Sequence, residues 1–304
     1  MSITVPASAW VSDWTVDPLG VVAVLLSAAY LFASRRRRRG GAVPWARRVS
    51  FQSGCLVLLV LSCGPVAHYA ADLFWVRALQ VTVLLYLVPL ALASGTPLTV
   101  LGQALPVARV GEAIAVLSSG TVRALTHPVV VSGLLLAAPW ALFFTGWNVA
   151  AMRHPGLDVV TRVVLLLLGC VYFWTRIQAD PVPRRWPQGL SLMVTVVESI
   201  GDGILGIVVW FAPILYVGYY AGRGYTDHDQ LRLSQTVGAG MLWILADVIG
   251  IPFLIILMTA LRREDARTQQ RVDGLIDDSA AAGDADPTGL WWEQDPRLKD
   301  RFRS

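Results

Sequence analysis

Residues 158–177 read Asp158-Val-Val-Thr-Arg-Val-Val-Leu-Leu-Leu-Leu-Gly-Cys-Val-Tyr-Phe-Trp-Thr-Arg-Ile177. Between Arg162 and Arg176 no side chain is charged, and apolar residues do not alternate with polar ones as they would in a half-buried strand. A run of about 20 mostly apolar residues, rising about 1.5 Å each as a helix, spans the hydrocarbon of a bilayer. In that medium every backbone N–H and C=O must bond within its own segment, which selects the helix.

Runs of the same kind recur at 18–34, 50–70, 73–101, 128–149, 190–218 and 237–261. The fold class that follows is all-α: a polytopic membrane helical bundle of about seven transmembrane helices. Composition agrees, with 55% hydrophobic and 15% charged residues over 304 positions and a mean hydropathy of +0.56. Three regions follow: a short segment 1–17, a seven-helix domain 18–261, and a flexible tail 262–304 whose Asp273, Asp277, Asp278, Asp284 and Asp286 are interleaved with Ala and Gly. The segment before the first span has no basic start and no small-residue cleavage pattern, so that span is expected to stay in the protein.

Arginine sets the expected orientation. The run Arg35 to Arg39 with Arg47 and Arg48 follows the first span. Arg109 and Arg123 follow the third, Arg176, Arg184 and Arg185 the fifth, and Arg262 and Arg263 the seventh. Alternate joints are poorer in Arg, which by the positive-inside rule puts the N-terminus outside and the C-terminus in the cytoplasm of a bacterial cell membrane. The basic residues form joints and no stripe, which argues against nucleic acid and leaves the lipid bilayer as the surface they meet. Cys55, Cys63 and Cys170 lie inside apolar runs without metal spacing and read as small buried hydrophobes. Small residues Ser199, Gly203 and Gly206 suggest that the sixth span is the central one.

Ionisable residues at membrane depth are the strongest functional pointers, because each costs about 2.5–3.5 kcal/mol there if left unpaired. They are Arg77, Arg162, Glu198, Asp202 and Asp247. Glu198 and Asp202 share one helix face, so a single cation from a neighbouring helix can serve both. Arg77 and Arg162 are expected to pair with Asp202 and Asp247 and so tie the helices together. A second candidate set lies in the joints expected outside: His68 and Asp72, His154 with Asp158, and Asp227, His228 and Asp229. Imidazole and carboxylate meeting there would suit a divalent or cuprous ion. His127, beside Pro128, reads as a helix start. No H-E-x-x-H, G-x-S-x-G or phosphate-cradling loop occurs, and the expectation is a protein without enzymatic activity. At the far end Trp291, Trp292 and Phe302 form an aromatic patch suited to docking on a partner, on the bundle or on lipid.

Several blocks bear a family likeness. They are Asp72-Leu-Phe-Trp-Val-Arg-Ala-Leu-Gln80 with Pro89 and Gly95-Thr-Pro97-Leu98, then Gly169-Cys-Val-Tyr-Phe-Trp174, then Tyr216 with Tyr219 and Gln235-Thr-Val-Gly-Ala-Gly-Met-Leu-Trp243. In order and spacing the chain resembles the CtaG-type cytochrome c oxidase assembly proteins of bacterial membranes, over most of residues 50–265. The resemblance implies a membrane helper in maturation of a haem-copper oxidase, with oxidase subunits as partners, Gln235 and Trp243 as framework residues, and a role near a copper site. Arg77 and Val81 stand where the family carries a His-x-x-x-His pair, Arg162 where it carries a histidine, and Ser234 where it carries an aspartate. No cofactor is firmly implied, and copper enters only through the joint histidines and this resemblance. The rival expectation is a transporter of a small ion or metal that uses Glu198, Asp202 and Asp247; it ranks lower because no helix pair broken by Gly or Pro is evident.

Overall fold

The computed structural model describes residues 4–36, 42–104, 119–120, 126–182 and 188–281. Its regular elements are all helical among those residues: α1 (Ala9–Ser12), α2 (Pro18–Arg36), α3 (Trp45–Cys63), α4 (Pro65–Tyr69), α5 (Phe74–Ser94), α6 (Pro97–Ala104), α7 (Pro128–Phe144), α8 (Trp147–Arg153), α9 (Pro155–Ile177), α10 (Gln188–Phe211), α11 (Val217–Ala221), α12 (His228–Gly240) and α13 (Ala246–Ala281). Six helices are long and apolar enough to cross a membrane, or seven when α7 and α8 count as one broken span. The polytopic helical fold is therefore the one expected. The chain divides into two compact units, Met1–Leu257 and Met258–Ser304.

In the first unit α5 is the axis, and the sixth span is not. The membrane window of α5 is 72% buried, against 33% for α10. The first half of α5 packs on α12, and the second half packs on α3 and α9. Missing side chains on three neighbours permit this. A Cβ on Gly54 would meet Leu92, one on Gly238 would meet Phe74 at 2.5 Å, and one on Gly169 would run into the Leu85 carbonyl. Small residues at helix crossings allow close packing, which substitutes for the hydrophobic drive that lipid does not supply. Gly203 and Gly206 of α10 do admit a neighbour, Trp243 together with the Ala239 carbonyl. Gly201 of the same helix admits Leu136 of α7.

The helices are interrupted more than their apolar runs suggest. A π-turn occupies Val83–Leu87 within α5, where Pro89 has no N–H to offer the Leu85 carbonyl. A second, Met241–Leu245, joins α12 to α13, and the Thr82 hydroxyl donates to the Met241 carbonyl at 3.3 Å. Pro139 and Pro252 sit inside helices, and α7 and α8 meet at a 69° bend. The expectation that no Gly- or Pro-broken pair exists is corrected at this bend, where Gly146 caps α8. His127 precedes Pro128 as the N-cap position of α7, a helix start as anticipated.

A second correction concerns the tail. Residues 262–281 are helical, in continuation of the helix that begins at Ala246. Extending an existing helix avoids the cost of nucleation, and Leu, Arg, Glu, Gln and Ala are good helix formers, so acidity alone does not unwind the stretch. Trp291, Trp292 and Phe302 lie outside the described residues.

Candidate functional site

Two clusters of buried charge occupy different levels of the bundle. The first lies at the end where α2 and α9 begin. Arg77, on the first turn of α5, is 2% exposed and places Nη1 2.6 Å from Asp158 Oδ1. Its Nε donates to Asn148 Oδ1 at 3.1 Å, and Nη1 also donates to Gln80 Oε1 at 2.9 Å. Asp158 carries a second cation, with Arg162 Nε 2.8 Å from its other oxygen, an ion pair whose N–H is not aligned for a hydrogen bond. Arg162 Nη2 then donates to Asp17 Oδ2 at 2.7 Å. Two arginines and two aspartates thus alternate in a chain, Arg77–Asp158–Arg162–Asp17, that ties α5, α9 and the entry to α2, with Asn148 bringing in α8.

The expected pairing of Arg77 and Arg162 with Asp202 and Asp247 is therefore corrected. Tyr86, the α5 residue that reaches Asp202, lies roughly nine residues or about 13 Å along the helix from Arg77, too far for one guanidinium to span. Asp158, by contrast, is one turn from Arg162 on the same helix.

The second cluster sits at mid-span. Glu198 and Asp202 of α10 are 4% and 7% exposed. Glu198 accepts from Tyr172 Oη at 2.5 Å and faces Arg176 Nη2 at 3.4 Å. Arg176 does not belong to a joint as its position suggests. It is 1% exposed, and its guanidinium also donates to the Ser191 carbonyl and to Ser132 Oγ. Helical side chains lean toward the N-terminus, so an arginine in the last turn of α9 reaches back into the span. Asp202 accepts from Tyr86 Oη at 2.8 Å, and Asp247 accepts from Ser199 Oγ at 2.6 Å. Glu198 and Asp202 do share a face, but among the described residues the cation that reaches them, Arg176, serves Glu198. These carboxylates open on a cavity of about 220 Å³ between α9, α10, the π-turn of α5 and the start of α13.

The proposed metal set does not assemble. Among the described residues no three of His, Cys, Asp and Glu come together in a way that could hold an ion. Asp72 is taken by Arg223 at 2.6 Å, and Asp227 caps α12 by accepting from the Asp229 and Gln230 amides. Asp72 and Asp227 do line one pocket of about 100 Å³ with Gln230 and Ser234, but His68, His154 and His228 are exposed and do not line it. At the Arg77 and Arg162 positions the guanidinium groups are donors without a free lone pair, so the locus does not fit copper. Around this end burial pushes the Tyr216 phenol up to about 12, and the Tyr220 phenol is raised further by burial, so both stay protonated.

The framework blocks have structural explanations. Gln235, 1% exposed, accepts from the Leu215 amide at 2.7 Å and donates to the carbonyls of Val209, Ala212 and Pro213, closing the frayed end of α10. Tyr216 holds a left-handed φ of 60° and donates to the Phe143 carbonyl. Trp174 donates to the Pro181 carbonyl, and Gly95 admits Phe51 while its carbonyl accepts from Tyr30. Pro97 opens α6, whose first amides, Leu98 and Thr99, are capped by Asp180 from beyond α9. Asp17, Asp158, Arg176, Asp180, Tyr86 and Tyr172 were not foreseen as members of these networks. Only Asp158 carried a sequence signal, its four-residue spacing to Arg162.

Both clusters and all of these blocks fall within residues 28–264 except Asp17, and that stretch matches the family model described as cytochrome c oxidase caa3 assembly factor (Caa3_CtaG). The chain belongs to this family. Curated relatives of the chain include uncharacterized proteins of Mycobacterium bovis and Mycobacterium tuberculosis, each 26% identical over 281 residues, covering 88% of this chain and 42% of the relative. A third, from Mycobacterium leprae, is 25% identical over 281 residues, covering 89% and 43%. The caa3 assembly factor family member described here thus spans less than half the length of these relatives. No solved structure matches it.

Proposed function

We propose that this chain is an assembly and stabilisation factor for a bacterial haem-copper cytochrome c oxidase, acting in the plasma membrane by contact with oxidase subunits and without enzymatic turnover. The observation that carries the reading is the family match across most of the helical bundle, residues 28–264. The alternation of Arg-bearing joints supports an N-terminus outside and a C-terminus in the cytoplasm. Help to a copper site of the oxidase would come from holding its subunits, since the guanidinium groups of Arg77 and Arg162 are not metal ligands. Deletion of the gene should lower the spectroscopically assembled oxidase, and the tagged chain should co-purify with oxidase subunits in mild detergent. Normal oxidase content together with no co-purifying subunit overturns the reading.

A second reading, transport of a small ion, draws on the mid-span carboxylates and the 69° break between α7 and α8. Ion flux into vesicles containing the purified chain, abolished by Asp202→Asn, would replace the first reading with this one.

A further inference from the structure

The mid-span cavity has features that the charge network does not use. Each of Asp202 and Asp247 receives one hydroxyl on one oxygen, leaving Asp202 Oδ1 and Asp247 Oδ2 without a donor among the described residues. The walls beside them are aromatic: Tyr86, Tyr172, Phe173 and Phe253. The rim is apolar and faces outward, with Val196 53% and Ile200 60% exposed on a membrane-spanning helix. Residues of α10 and α13 form its two lips, joined by the Ser199–Asp247 hydrogen bond.

Size and depth define what can enter. A volume of about 220 Å³ exceeds the roughly 150 Å³ of an apolar cavity that admits benzene, so one substituted ring fits. Ser199, which holds Asp247, is about 17 Å along α10 from Gln188 and about 18 Å from Phe211, near the middle of a bilayer. A charged lipid headgroup stays at the interface, whereas a neutral hydroxyl headgroup dissolves to this depth. Unpartnered carboxylate oxygens beside aromatic walls call for a ring that carries hydroxyl donors.

We propose that this lateral cleft binds the headgroup of a membrane-dissolved phenol or hydroquinone, whose hydroxyls donate to Asp202 Oδ1 and Asp247 Oδ2 while the ring lies among the four aromatic side chains. The tail of such a molecule leaves past Ile200 into lipid. This is a binding site; no electron transfer is assigned to it. It depends on the span layout and not on the assembly role, so either can fail without the other.

The test uses the full chain in phosphatidylcholine nanodiscs, titrated calorimetrically with tetramethylhydroquinone under reducing conditions and, in parallel, with its dimethyl ether. The hydroquinone should bind saturably at one per chain, and the ether, which has no donor, at least tenfold more weakly. Asp247→Ala should weaken the hydroquinone at least tenfold. Ile200→Trp should close the mouth and abolish binding at an unchanged melting temperature, while Val197→Trp, also lipid-facing but outside the cleft, should leave it intact. Equal binding of the ether, no saturable binding, or indifference to Ile200→Trp overturns the proposal. Saturable heat from Na+ or K+ alone, removed by Asp247→Ala and accompanied by no hydroquinone binding, gives the cleft to a cation and also overturns it.

Discussion

The two charge clusters use the same residue types to opposite ends. At the Asp17 end two arginines meet two aspartates, with Asp158 held by Arg77 at 2.6 Å and by Arg162 at 2.8 Å. At mid-span, among the described residues, three carboxylates have one arginine, which faces Glu198 at 3.4 Å, and each accepts one hydroxyl, from Tyr172, Tyr86 or Ser199. The first arrangement balances each arginine with an aspartate, as a brace between helices must where desolvated charge is costly. The second is unbalanced and bordered by a cavity, which no packing requirement explains. Charge balance, more than burial, separates the brace from the candidate site.

The comparison breaks first at Asp158. Replacing it with Ala leaves Arg77 without an ionic partner and Arg162 with Asp17 alone, and unfolding in detergent should register a loss of about 3–5 kcal/mol. The double variant Arg77→Met with Asp158→Leu should lose clearly less than the sum of its single changes. Additive losses would mean that the chain of ion pairs is not a unit.

Arg176→Met tests the other cluster. Glu198 would keep Tyr172 but lose its cation, so the expected loss is about 2–3 kcal/mol, smaller than that of Asp158→Ala. A loss equal to or larger than that of Asp158→Ala would remove the distinction between the clusters. Gln235→Ala serves as an uncharged reference. It strips the partner from the Leu215 amide and from the carbonyls at the end of α10, at about 1–3 kcal/mol by the same thermal measurement.

Asp247→Asn should cost less than about 1 kcal/mol, since the amide oxygen still accepts from Ser199, and so it would mark this carboxylate as dispensable for folding. The smallest effect belongs to Asp13, whose carboxyl is held below the usual range by the Ser12 hydroxyl, with help from Tyr69, against the opposing pull of burial. Its folded value is depressed, so its contribution is present above about pH 4 and fades as pH falls through the folded value. Asp13→Asn should therefore lower the melting temperature only slightly at pH 7, since the amide oxygen can still accept from Ser12 and Tyr69, and the difference should vanish at acid pH. A clear drop at neutral pH would show that Asp13 belongs to a brace.

The apolar runs made the number and type of spans legible, because the bilayer demands length and hydrophobicity of each segment by itself. The Gly95-Thr-Pro97, Tyr216 and Gln235 blocks were equally plain as a family pattern, though not what they bond. Hidden were the pairings. Glu198, Asp202 and Asp247 could be named as buried charges, but Arg176 looked like a joint residue because a long side chain can return into the span, and Asp17 looked like part of a solvated segment. Acidity alone points to a flexible tail beyond Arg262, whereas the helix formers of that stretch extend a helix already in place.

By itself, then, the sequence determined that this is a polytopic helical membrane protein and that Glu198, Asp202 and Asp247 sit at depth, since both depend on local hydrophobicity and on a period of 3.6. Tertiary structure alone decided that α5 is the axis and that Asp158 joins two arginines. It also decided that the carboxylates of α10 and α13 border a cavity. Those facts depend on which helices touch, and that is set by glycine-sized gaps, proline-shifted π-turns and the reach of individual side chains, none of which has a period along the chain.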